Sequence, residues 1–207
     1  MTSLAEQLAP RVDGIGFGVA TMLDYQRTPL RSEEVRASAG MLAARKQEFW
    51  LGRSAAHRAL ANLGVQDGAI LRSGRRPVFP GGLSGSLSHS AGVAVAIVAK
   101  NTRARGLGID LELKPLPTRA ARLVLRPDEM WCVEAGHCSC AQAFSAKEAG
   151  FKALEPLLEC GTALLRQLSI EPASDGFRVR HASWPQLHAA VSVCDIAGGI
   201  LAWAIVG

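Results

Sequence analysis

Twice along the chain a long amphipathic helical pattern and an apolar strand that follows a glycine recur, and this repetition most narrows the fold. The first helix is expected from about Gly40 to Leu63, with Leu42, Phe49, Ala56, Leu60 and Leu63 on one face at about 3.6 residues per turn. Gly64 stops it, and Val93 to Ala99 forms a β-rich apolar run after Gly92. The second helix is expected from about Gln142 to Leu154, with Phe144, Phe151 and Leu154 as its apolar face and Pro156 as its end. Ile200 to Val206, after Gly198-Gly199, echoes the earlier strand. Between the two helices, Gly106 to Leu113 alternates as a strand, and a short helix opens at Pro127-Asp128-Glu129. Leu168 to Glu171, Phe177 to His181 and Ala189 to Cys194 lead into the last strand as a meander. The expectation is an α+β chain of two similar lobes, 1–100 and 101–207.

Composition excludes some alternatives. With 207 residues, 48% apolar and 20% charged, the chain is of ordinary globular make-up and not low-complexity disorder. The net charge of +5 suits an acidic or phosphorylated partner. The basic residues are scattered, and aromatics are only 5%, which argues against a nucleic-acid module. No apolar run reaches the ~18 residues of a membrane span, and Met1 to Gly14 lacks a signal pattern. A cytoplasmic protein without a membrane span is expected. The odd count of cysteines, Cys132, Cys138, Cys140, Cys160 and Cys194, argues for free thiols over a disulfide framework. The spacing of Cys132, His137, Cys138 and Cys140 fits no standard zinc pattern.

Four segments carry candidate chemistry. In Gly108-Ile109-Asp110-Leu111-Glu112, Asp110 and Glu112 share a strand face, and two adjacent carboxylates favour a cation between them; a half-exposed strand with two solvated acids gives the same pattern. In Phe144-Ser145-Ala146-Lys147-Glu148 through Lys152, Glu148 and Lys152 are four apart on one helix, as in an ordinary surface ion pair, but they border the apolar face. Gly85-Ser86-Leu87-Ser88-His89-Ser90 reads as a hydroxyl-rich turn suited to phosphate. Gly74-Arg75-Arg76-Pro77 holds two arginines in a stiff segment. Lys46, Arg53 and His57 lie together beside the apolar face of the first helix.

Taken in order, these segments, together with Arg45-Lys46-Gln47-Glu48-Phe49 and Gly52-Arg53, resemble the 4′-phosphopantetheinyl transferases of the larger, surfactin-synthetase-activating type, and most of all the enterobactin synthetase component D branch. The resemblance covers residues 45–152. It implies two lobes related by pseudo-twofold symmetry with coenzyme A in the cleft between them. It implies transfer of 4′-phosphopantetheine to a serine of an apo peptidyl, aryl or acyl carrier protein, with 3′,5′-ADP released and magnesium required. By the resemblance, Asp110, Glu112 and Glu148 match magnesium ligands. Ser88, His89, Arg45, Arg53, Arg75 or Arg76, Asp110, Lys147 and Lys152 match positions on the coenzyme A side. Glu148 and Lys152 are the expected catalytic pair, base and acid. A monomer is expected. A coenzyme A-binding regulatory protein without transfer is the alternative. The cysteine-rich insertion before the second helix, where the family places carrier-contacting elements, departs from the pattern.

Overall fold

Glycine decides how each long helix meets its sheet. A computed structural model describes residues 12–65, 68–114, 116–158, 165–196 and 198–207; residues 1–11 and Cys160, read above from sequence, lie outside the described residues. The chain forms two compact units, Met1–Ala104 and Arg105–Gly207.

In the first unit, β1 (Ile15–Thr21) is followed by α1 (Ser32–Ala37) and α2 (Ala43–Asn62), then a hairpin of β2 (Leu71–Ser73) and β3 (Arg76–Val78), then β4 (Leu83–Ser90) and β5 (Val93–Lys100). The antiparallel sheet runs β1-β5-β4. β5 is central, and every residue from Ala94 to Ala99 is fully buried. α2 lies on β1 so closely that a Cβ at Gly16 or Gly18 would run into the Ala59 or Ala55 carbonyl oxygen. Only glycine permits that approach. Arg58 and Asn62 then donate from the helix to the Val19 and Phe17 carbonyls, at 2.6 and 2.7 Å.

In the second unit, β6 (Gly106–Glu112) leads through α3 (Thr118–Val124) and α4 (Pro127–Glu134) to α5 (Cys140–Leu154). A meander of β7 (Leu168–Ala173), β8 (Gly176–His181), β9 (Trp184–Ile196) and β10 (Gly199–Val206) completes it. The sheet order is β6-β10-β9-β8-β7, with β6 at an edge. Gly106 and Gly108 sit beneath the Ala153 and Ala149 carbonyls of α5.

The structure departs from the sequence reading in several places. Leu42 is not on the buried face of the first helix; it is the N-cap residue and 83% exposed. In α5 the alanines Ala143, Ala146, Ala149 and Ala153 are fully buried, whereas Phe144 and Phe151 are half-exposed. Close packing over glycine leaves room for methyl groups, not rings. The segment expected as a phosphate-binding turn, Gly85 to Ser90, is part of β4, paired along its length with β5. No described helix is long and apolar enough to cross a membrane.

Two buried glutamates anchor the edges of these packings. Glu34, at the third position of α1, accepts from the Arg31 amide (3.0 Å), the Ile70 amide (2.8 Å) and His57 Nε2 (2.9 Å). Burial alone raises its proton affinity, but those three donors hold its carboxyl below the usual range. Glu129, at the third position of α4, accepts from the Arg126 amide (2.7 Å), the Ile170 amide (3.0 Å) and Lys147 Nζ (2.6 Å).

Candidate active site

On β6, side chains alternate between faces, so Gly106, Gly108, Asp110 and Glu112 share the face packed by α5. The two glycines admit the helix, and the strand then continues with carboxylates beside it. Asp110 is 7% exposed and Glu112 is half-buried. Ile109 and Leu111 occupy the opposite face and are buried there too. Lys152 reaches from α5 to this strand, donating to the Ile109 carbonyl at 2.9 Å and to Asp110 Oδ1 at 2.8 Å. Glu112 accepts from the Lys114 amide at 2.9 Å.

Glu148, one turn before Lys152, faces the same region. Burial raises its proton affinity above that of an ordinary carboxyl; the Lys152 charge opposes this and the Asp110 carboxylate adds to it. A carboxyl held partly desolvated beside another carboxylate and an ammonium binds a proton more readily than an ordinary one, the property a general base needs. Among the described residues no three acidic, histidine or cysteine side chains are gathered into a ready-made metal cage. The donor chemistry still fits a hard divalent cation: all candidate atoms are carboxylate oxygens, and magnesium usually takes one or two of these with the rest from water and phosphate.

Lys147 does not join this group. Its side chain is 0% exposed, and its ammonium donates to Glu129 Oε2 at 2.6 Å and to the Val124 carbonyl at 3.0 Å. By the resemblance Lys147, like Lys152, matches a position on the coenzyme A side; five positions on a helix place the two on different faces, and Lys147 points into the core.

The first unit carries a basic groove of about 120 Å³, lined among others by Arg45, Arg53, Arg72, Arg75, Phe49 and His89. Arg53 is buried over the Phe49 ring, 4.3 Å from its centroid, and donates to the Ile70 and Leu71 carbonyls at 2.6 and 2.9 Å. Burial pulls its guanidinium down to about 10; Glu34 opposes this, and the positive charges of Arg72 and Arg45 add to it. Crowded like charges of this kind favour an anion between them. Arg45 donates to Glu48 at 3.0 Å and touches His89 Nε2 at 3.5 Å. The groove takes Arg75, at the hairpin tip after Gly74 (φ 59°), while Arg76 begins β3 opposite Ser73. The pleat of β4 sends Ser88 to the face opposite His89, where it is 8% exposed.

Sequence reading missed Arg72 and Glu48. Both had a signal: Arg72 stands in a strand pattern flanking a glycine turn, and Glu48 lies three residues after Arg45 on a helix.

Residues 31–99 match the family model of the 4′-phosphopantetheinyl transferase N-terminal domain, and residues 106–195 match that of the 4′-phosphopantetheinyl transferase superfamily. The chain is 33% identical over 163 residues to the 4′-phosphopantetheinyl transferase PptT of Mycobacterium tuberculosis, covering 76% of this chain and 69% of the relative. It is 34% identical over 175 residues to the 4′-phosphopantetheinyl transferase Npt of Nocardia iowensis, covering 81% and 76%. Enterobactin synthase component D of Salmonella typhimurium is 31% identical over 150 residues, covering 69% of this chain and 62% of that protein, less than two thirds of its length.

Proposed function

Because the chain belongs to the 4′-phosphopantetheinyl transferase superfamily, we propose that it transfers 4′-phosphopantetheine from coenzyme A to a serine of an apo carrier protein and releases 3′,5′-ADP. The observation that carries this reading is the cluster on one face of β6, where Asp110 is bonded to Lys152 and the proton affinity of Glu148 is raised beside them.

In this reading the carrier serine oxygen attacks the β-phosphorus of coenzyme A, and the bond from that phosphorus to the 3′,5′-ADP oxygen breaks. Glu148 accepts the serine proton, directly or through one water. Lys152, fixed by Asp110 and the Ile109 carbonyl, stabilises charge on the departing phosphate and can return a proton to it. Asp110, Glu112 and Glu148 are the residues that would hold magnesium; such an ion, when bound, neutralises pyrophosphate charge. In the first unit, Arg75, Arg72, Arg45 and His89 are proposed as anion contacts for coenzyme A, with Arg53 positioning the hairpin through its bonds to the Ile70 and Leu71 carbonyls.

We further propose that the two units are copies of one design. This is supported by a Gly-Xaa-Gly strand under an alanine-faced helix in each (Gly16/Gly18 and Gly106/Gly108), by Arg58 and Lys152 donating to the equivalent Val19 and Ile109 carbonyls, and by Glu34 and Glu129 capping helices while accepting from Ile70 and Ile170. The second copy carries Asp110 where the first has Ala20. A cytoplasmic monomer acting on peptidyl, aryl or acyl carriers, without nucleic acid, completes the proposal. A siderophore or nonribosomal peptide pathway is in keeping with the enterobactin relative.

Incubation of the protein with coenzyme A, magnesium and a panel of apo carrier proteins, read by intact mass, tests the proposal. A gain of one phosphopantetheine, abolished by chelation and in Asp110→Ala, is expected. Retained coenzyme A binding with no transfer to any carrier would replace it with a coenzyme A-binding regulatory role.

A further inference from the structure

The end of α4 brings two cysteines together by backbone chemistry alone. The His137 amide donates to the Cys132 carbonyl (3.0 Å) and the Gly136 amide to the Val133 carbonyl (3.1 Å), with Gly136 at φ 74°. This is a Schellman stop, in which the chain turns back over the last helical turn. His137 packs edge-on against Trp131, ring centroids 5.4 Å apart, as the side-chain contact that accompanies the turn. Cys138 follows immediately and lies with its sulfur 3.0 Å from that of Cys132. Both cysteines line a cavity of about 450 Å³ with His137, Gln142 and Phe177. Cys132 is buried and Cys138 half-buried.

We propose that Cys132 and Cys138 are a reversible modification site, a dithiol that low-molecular-weight disulfides such as oxidised glutathione convert to an intramolecular disulfide. The half-buried Cys138 thiolate attacks the glutathione disulfide, forming a mixed disulfide and expelling one glutathione thiolate. The Cys132 sulfur then attacks Cys138, forming the Cys132–Cys138 bond and expelling the second glutathione. The two cysteine protons end on two glutathione molecules; the pair is oxidised and glutathione reduced. The Schellman turn holds the sulfurs in contact before reaction, so the second step is intramolecular and fast. The first step is slow at neutral pH, because burial and then the neighbouring Cys132 push the Cys138 thiol up, and the reaction depends on thiolate. The bond would fasten the last turn of α4 to the residue before Ser139, the N-cap of α5.

The test uses the full chain, reduced and then treated with oxidised glutathione at several pH values, with intact mass and peptide mapping. The expected result is a loss of about 2 Da, reversed by dithiothreitol, with the link mapped to Cys132–Cys138 and a rate that increases with pH. Cys132→Ser is expected to retain one glutathione on Cys138, and Cys138→Ser to show no 2 Da loss. No mass loss in the unmodified chain, or a link mapped to any other pair such as Cys138–Cys140, overturns the proposal. The peptide map of the unmodified chain decides even where a variant fails to fold.

Discussion

Lys147 and Lys152 stand five residues apart on α5 and have opposite fates. Lys147 is sealed against Glu129, and removing one member of a buried ion pair strands the other charge. Lys147→Ala is therefore expected to cost about 3–5 kcal/mol in urea unfolding, with any loss of transfer following loss of fold. Lys152 is partly open to solvent, and Lys152→Gln is expected to abolish transfer with a much smaller change in the unfolding midpoint. Glu148 couples stability to function in the other direction. Its carboxyl is raised above the ordinary 4.5 by burial first, with Lys152 opposing and Asp110 adding to the shift. A group raised in the folded state contributes stability below its unfolded pKa and loses that contribution as pH increases through the folded value. Glu148→Gln should thus melt at a higher temperature than the unmodified chain at neutral pH, with the gap closing below about pH 4.5, and should lose transfer throughout. Normal transfer in this variant would remove Glu148 as the base.

The strand beneath α5 shows why small residues matter to the chemistry beside them. A Cβ at Gly108 would meet the Ala149 backbone carbonyl, and the carbonyl cannot yield without moving the helix. Gly108→Ala is expected to cost about 1–3 kcal/mol and to reduce transfer, because the displaced helix carries Glu148 and Lys152 away from Asp110. Gly81→Ala, where nothing lies within 4 Å of the added carbon, is the control and should change neither. The long helices are legible because uninterrupted helix-forming stretches end at Gly64 and Pro156, and the meander because β-rich runs alternate with turns, although the buried face of each helix differs in part from the expected one. β1, α1 and the β2–β3 hairpin were not read: Ile15–Thr21 is interrupted by two glycines, α1 has six residues, and each hairpin strand has three. The serines and glycine of Gly85 to Ser90 have the composition of a turn; pairing with the apolar β5 overrides that local preference and makes the segment part of β4.

In the proposed reading, coenzyme A binding falls to the basic groove of the first unit and the chemistry to the β6 cluster of the second. Variants of the basic groove, such as Arg75→Ala, are expected to raise KM for coenzyme A about tenfold, the effect of about 1.4 kcal/mol of lost binding, with kcat little changed. Arg76→Ala should do less. Asp110→Asn is expected to lower kcat while coenzyme A binding, measured by calorimetry, persists. The opposite split would mean that the groove is not the anion contact.

From its residues alone the chain declares an α+β fold, its two principal helices, and the acidic and lysine-bearing segments around Asp110, Glu112, Glu148 and Lys152, because these follow from short-range periodicity and from residue types in order. Which lysine serves as a buried counter-ion, which arginine of a neighbouring pair enters the groove and which face of β4 a serine takes were decided only by the tertiary structure. Each depends on strand pleat or helix phase across elements, and a change of one residue in register reverses the outcome.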